Sequence, residues 1–168
     1  MLTIYVVKIP HSPDKHGVLR KALPTIGLCQ GMDSSVFNIV KEGMGKIKIG
    51  DISVNITYAD HYAFVFLSKQ RFGIDAETIK HQPKACRITL SRWLSTPINN
   101  DMDFYRAWTA MEAEVKYYGD RSLFDVIEGR LHKNKELQTI YSSFQNNMIA
   151  IASDSDNIMD QETFFVEI

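Results

Sequence analysis

Short runs of β-branched and aromatic residues dominate the first half of the chain and predict strands. They cover residues 2–9, 36–40, 47–49, 52–56 and 63–67. The third and fourth runs alternate around Gly50 and Asp51, which predicts a hairpin or a bent strand pair. The run at 63–67 is apolar throughout and has the length of a buried strand. Phe72-Gly73-Ile74 follows it after a polar turn.

Helical spacing of apolar residues replaces this pattern in three places. A short helix is predicted from Asp14 and should be broken at Pro24. A second covers residues 84–94. A third extends through Tyr118, with Asp101 or Asp103 as its N-cap and Gly119 just after its end. Strands are predicted again at residues 137–144, 148–152 and 164–168.

The predicted order is strands, one helix, strands, two helices and strands again. This order predicts a mixed α/β protein, more specifically one of the α+β class. Few βαβ units appear in this order, so the sheets are expected to be antiparallel or mixed. No low-complexity segment separates domains, and 168 residues are enough for a sizeable core.

Composition excludes several classes of protein. The chain is 45% hydrophobic and 23% charged, with a net charge of -1, so it lacks the basic excess expected of a nucleic-acid-binding protein. No apolar run approaches transmembrane length, and the apolar N-terminus is too short for a signal sequence. Cys29 and Cys86 lack metal-ligand spacing and are expected to be free thiols. These features predict a cytoplasmic protein without membrane or nucleic-acid partners.

Two segments carry acids in a pattern with chemical meaning. Asp75 and Glu77 alternate in an extended segment and point to one side, while Trp108, Glu112 and Lys116 share one helix face at i,i+4 spacing. Magnesium takes carboxylate oxygens and leaves positions for phosphates, and an ammonium nearby would stabilise a leaving phosphate. The structural alternative is a surface Glu112–Lys116 ion pair and an ordinary strand-end turn.

The motif residues themselves resemble those of one family. Gly73-Ile74-Asp75-Ala76-Glu77 resembles the G-[IV]-D-[IV]-E motif of the phosphopantetheinyl transferases. Trp108-Thr109-Ala110-Met111-Glu112-Ala113-Glu114-Val115-Lys116 is similar to that family's W-[ST]-x-K-E-A-x-x-K helix. Asn55-Ile56-Thr57-Tyr58-Ala59 stands where the family has N-[LI]-S-H-S, and Gly45-Lys46 resembles the start of its G-K-P segment.

This resemblance implies transfer of the phosphopantetheine arm of coenzyme A to a serine of an acyl or peptidyl carrier protein. It implies magnesium held by Asp75, Glu77 and Glu112, with Glu112 helping to deprotonate the serine and Lys116 assisting the leaving group. Residues expected to contact coenzyme A are Lys15, Arg20, Lys46 and Tyr58. Trp108 is expected to anchor its helix and to take no part in the chemistry.

Chain length matches the single-chain type of the family. Two similar halves, residues 1–76 for coenzyme A and 77–168 for the metal and the carrier protein, would then form a pseudo-dimer within a monomer. Met111 and Tyr58 depart from the family pattern, which has lysine and histidine there. They motivate an alternative, a degenerate member that binds a carrier protein or coenzyme A without transfer. A third hypothesis is an unrelated fold with coincidental motifs.

Overall fold

The structure is a computed structural model that describes residues 2–10, 15–32, 39–42, 46–49, 51–131, 137–154 and 162–168. They divide into two compact units, Met1–Arg71 with Gln161–Ile168, and Phe72–Asp160. The predicted α+β class is confirmed, because the described residues form four helices with one mixed and one antiparallel sheet. The two similar halves of a pseudo-dimer stay a prediction.

The elements follow in chain order. They are β1 (Leu2–Lys8), α1 (Lys15–Cys29), β2 (Ile39–Glu42), β3 (Lys46–Ile49), β4 (Ile52–Ala59), β5 (Tyr62–Ser68), β6 (Gly73–Thr78), α2 (Lys84–Leu94), α3 (Asp101–Tyr118), α4 (Leu123–Leu131), β7 (Gln138–Phe144), β8 (Asn147–Ser153) and β9 (Thr163–Glu167).

The first unit contains a six-stranded sheet in the order β2-β3-β4-β5-β1-β9. The predicted hairpin is confirmed, since β3 and β4 pair antiparallel with Ile49 opposite Ile52. β9, which follows the second unit in sequence, pairs parallel with β1 and places Thr163 opposite Leu2. Of the strand predicted at 36–40, residues 36–38 lie outside the described part of the chain.

Helix α1 corrects one prediction, because it continues past Pro24 to Cys29. Leu19, Leu23 and Ile26 are buried in one cluster with the sheet residues of this unit, whereas Pro24 is exposed. The apolar stripe thus continues beyond the proline, and packing of Ile26 outweighs the lost backbone hydrogen bond.

The second unit contains a three-stranded antiparallel sheet in the order β6-β8-β7. Helix α3 packs on β6 and β8, where Ala113 contacts a small-residue surface made by Ala150 and Ala152. Helices α2 and α4 pack against another side of α3 through Leu90, Val126 and their neighbours. The unit is therefore organised around α3.

The two ends of α3 are formed by different capping residues. Its N-cap is Asn100, whose Oδ1 accepts the Asp103 N–H at 2.8 Å, and not Asp101 or Asp103 as the sequence predicted. Gly119 ends the helix with φ 76°, as predicted. Helix α4 was not predicted. No helix in the described part of the chain is long and apolar enough to cross a membrane.

Candidate functional site

Gly73 sets the distance between β6 and α3. A Cβ at this position would lie 1.8 Å from the Ala113 carbonyl oxygen and 2.5 Å from the Tyr117 backbone nitrogen, distances that no side chain tolerates. Only glycine therefore lets the strand lie directly on the helix. Ala113, which is fully buried, supplies the matching small residue on α3.

The segment that begins at Gly73 runs back along α3 toward the N-terminus of the helix. Gly73 lies at Ala113 and Tyr117, while Gln82, further along, donates its side-chain N–H to the Tyr105 hydroxyl at 2.6 Å. The Gln82 backbone N–H also reaches Asp101 Oδ1 at 3.0 Å. Asp75 and Glu77, which alternate with Gly73, thus lie beside the middle of α3.

Lys116 and Asp75 form the central ion pair of the site. The Lys116 ammonium lies 2.6 Å from Asp75 Oδ1, although the residues are 41 positions apart. Asp75 is only 5% exposed, so this charge depends on nearby partners more than a surface carboxylate would. The structural alternative placed Lys116 in a surface pair within its own helix, whereas here it links α3 to β6.

Glu77 and Glu112 complete a cluster of three acids around that ammonium. Burial raises the pKa of Glu77, and the Asp75 and Glu112 carboxylates raise it further. Burial and the Asp75 charge likewise raise the pKa of Glu112, while Lys116 opposes the shift. Three half-buried or buried carboxylates thus share one cation, and their negative charge is only partly compensated.

Trp108 contacts the cluster, which the sequence interpretation did not anticipate. Hydrogen bonding by its indole N–H opposes the upward shift in the pKa of Glu77, which burial and the neighbouring carboxylates cause. The Phe104 ring stacks on Trp108 with centroids 6.2 Å apart and an interplanar angle of 4°. The i,i+4 spacing of Trp108 and Glu112 places the indole on the same helix face as an acid. The sequence alone could not show that the indole would lie near Glu77 of another element.

The chemistry of the donor set fits a hard divalent cation, because carboxylate oxygens in excess over positive charge are what magnesium prefers. The arrangement itself is that of an ion-pair cluster. Among the described residues, no group of three or more His, Cys, Asp or Glu side chains is positioned to hold a metal ion. The cation beside Asp75 in this arrangement is the Lys116 ammonium.

Met111 lies away from the acid cluster. Its side chain is fully buried against Leu90, Val126 and Ile127, which belong to α2 and α4. The residue before Glu112 is therefore a core residue in this protein. A lysine at this position would have to leave that core before its ammonium could reach a phosphate.

The residues expected to contact coenzyme A lie in the first unit. Tyr58, on β4, packs at the edge of the apolar cluster, and burial raises the pKa of its hydroxyl. Arg20 is exposed on α1. Lys15 and Lys46 begin α1 and β3, and their side chains lie outside the described part of the chain.

Comparison of the sequence with protein-family models and with curated proteins found no match.

Proposed function

We propose that this protein is a magnesium-dependent phosphopantetheinyl transferase acting on coenzyme A and a carrier protein. One observation supports the proposal most directly. The two motif segments resembling that family lie together, with Lys116 of one 2.6 Å from Asp75 of the other. Coincidental motifs would have no reason to meet through their charged residues.

Each residue of the cluster has a role in the proposed reaction. Asp75, Glu77 and Glu112 would hold magnesium, which would neutralise charge on the diphosphate of coenzyme A. Glu112 accepts the proton of the attacking serine. Lys116 stabilises the charge that builds on the departing 3′,5′-ADP.

The proposal extends to partners and compartment. The acceptor is the serine of an acyl or peptidyl carrier protein, and the active form is a monomer. Cys29 and Cys86 are both exposed free thiols, which is consistent with a reducing compartment such as the cytoplasm. Arg20 and Tyr58, together with Lys15 and Lys46, remain the proposed contacts to coenzyme A.

Intact-mass measurement of carrier proteins tests the activity. We expect the mass of one phosphopantetheine on an apo carrier incubated with coenzyme A, magnesium and the protein. Asp75→Ala and Glu112→Gln should each slow this transfer by about 100-fold or more, because each removes a charge at the reacting centre. Glu128→Gln is the matched control, since Glu128 is an exposed acid on α4 outside the cluster. Absence of modification across a broad panel of carriers would refute the activity.

A second candidate function is binding of coenzyme A or a carrier protein without transfer. Two observations favour it: the Lys116 ammonium already pairs with Asp75, and Met111 is buried in the core. Calorimetric titration with coenzyme A separates the two functions. Saturable binding without any turnover would establish the binding role, whereas turnover that disappears in Glu112→Gln would exclude it.

A further inference from the structure

A cavity of about 550 Å³ lies on the side of α3 that faces away from the acid cluster. With 3.6 residues per turn, Glu114 projects roughly opposite to Glu112. The cavity is bounded by the end of α2, by α3, by α4 and by the start of β7. Its volume is in the range that holds small organic ligands.

Apolar side chains form part of its lining, and polar groups form the rest. The apolar side chains include Leu94, Ile98, Ala107, Val126 and Leu137. Tyr118 adds an aromatic wall, and the Arg121 guanidinium lies 3.7 Å above the centre of its ring. Such a surface favours the body of an apolar molecule over water alone.

Among the described residues, four charged side chains line the same cavity, and their partners differ. The Asp103 carboxylate accepts the Asn99 N–H at 3.1 Å, and Glu114 is buried with a partner of its own. Arg121 covers Tyr118 and is attracted to Asp125. Arg106 makes no side-chain ion pair or hydrogen bond with any other residue that the structure describes. Arg106 is thus the lining arginine whose guanidinium has no anionic partner among the described residues.

We infer that this cavity binds a small amphipathic anion, with its apolar body inside and its carboxylate or phosphate head at Arg106. The buried Glu114 lies eight residues from Arg106, about 12 Å along the helix axis. This spacing separates the Glu114 carboxylate from the negative head group of a ligand bound at Arg106. The inference does not depend on the proposed transferase activity, because it uses none of the residues of the acid cluster.

Eight-carbon probes test the inference with the whole protein. Octanoate and octyl phosphate supply the two kinds of head group, and octanol and octylammonium supply neutral and cationic controls of equal length. We expect at least one anion to bind with 1:1 stoichiometry in calorimetry, about tenfold more tightly than either control. The tighter of the two anions identifies the head group.

Two variants locate the binding. Arg106→Gln should weaken anion binding about tenfold, while Arg92→Gln, an equal change of charge outside the cavity, should leave it unaltered. Gly129→Leu should abolish binding by filling the cavity: Gly129 lines it, and a Cβ there meets nothing within 4 Å. Leucine also favours the helix, so a melting curve can confirm that this variant folds.

The opposite results overturn the inference. They are the absence of saturable binding by both anions, equal binding of octylammonium, or unchanged binding in both Arg106→Gln and Gly129→Leu.

Discussion

Two sides of α3 use its residues in different ways. Toward β6, small residues bring two backbones into direct contact and leave room beside them for three acids and a lysine. Toward α2 and α4, the same helix presents Met111 and its apolar neighbours to a continuous core. Adjacent positions in sequence, Met111 and Glu112, belong to these two different environments.

The side of α3 that faces α2 and α4 contributes to stability, whereas the side that faces β6 contains the chemically reactive groups. Apolar packing on the α2 and α4 side stabilises the helix at no electrostatic cost. The β6 side contains carboxylates whose pKa values are raised first by burial and then by repulsion from neighbouring carboxylates, a cost that a purely structural interface would avoid. Clusters of this kind are typical of functional sites.

The largest expected effect concerns the contact between β6 and α3. Gly73→Ala should destabilise the protein by about 4 kcal/mol, since the new Cβ would overlap backbone atoms that no rotamer change can move. Urea unfolding measures the change. Gly129→Ala is the matched control: its Cβ meets nothing within 4 Å, so the helix should gain about 0.5 kcal/mol. Equal stability of the two variants would contradict the close contact.

Met111→Lys tests the other side of α3. Lysine, which stands at this position in the motif that the helix resembles, should destabilise the protein by about 3 kcal/mol, because its ammonium would enter the core formed with Leu90, Val126 and Ile127. Met111→Leu should change stability by less than about 1.5 kcal/mol. An unchanged melting temperature for the lysine variant, together with faster transfer, would show that position 111 serves the site and not the core.

Trp108→Phe isolates the hydrogen bond to Glu77. Loss of the indole N–H should cost about 1 kcal/mol and raise the pKa of Glu77 further, because that hydrogen bond lowers it. Carboxyl titration followed by NMR measures the pKa directly. Trp93→Phe, at an exposed tryptophan on α2, is the control and should leave the pKa of Glu77 unaltered. A pKa that stays the same in Trp108→Phe would show that the indole has no influence on Glu77.

Glu112→Gln should have the smallest effect on stability, and of the opposite sign. The pKa of Glu112 is raised in the folded state, so its charged form opposes folding once the pH exceeds its unfolded value of about 4.3. The substitution should therefore stabilise the protein at pH 7, by about 0.5 kcal/mol because the carboxyl is half-exposed. The gain should vanish below about pH 4. A loss of stability at pH 7 would indicate that the attraction between Glu112 and Lys116 outweighs the burial of Glu112 and its repulsion from Asp75.

Periodicity predicted most of the strands together with α2 and α3, because each follows from local residue spacing. It failed at Pro24, where buried Ile26 extends the apolar stripe. The predicted N-cap of α3 was also wrong, because Asn100 caps the helix in place of the nearby aspartates. Local propensity includes the helix-breaking effect of a proline but not the stabilisation from packing against residues distant in sequence. The pairing of β9 with β1 also depends on contacts between residues far apart in sequence.

The sequence predicted which residues form the acid cluster, but not which of them pair with one another. Spacing placed Asp75 and Glu77 on one side of a strand, and Glu112 and Lys116 on one side of a helix. That Lys116 pairs with Asp75, and Trp108 with Glu77, depends on how closely the two elements approach. Gly73 controls this approach, and its importance becomes visible only once the backbone of α3 is seen beside it.

The parallel pairing of β9 with β1 has a consequence for synthesis on the ribosome. β1 gains one neighbour, β5, as soon as residue 68 has emerged, but its other neighbour is separated from β5 by the whole second unit. At typical elongation rates of about 5–20 residues per second, the apolar edge of β1 waits roughly 5–20 s for β9. During that interval it is an unpaired strand edge, the kind of surface that molecular chaperones protect from aggregation.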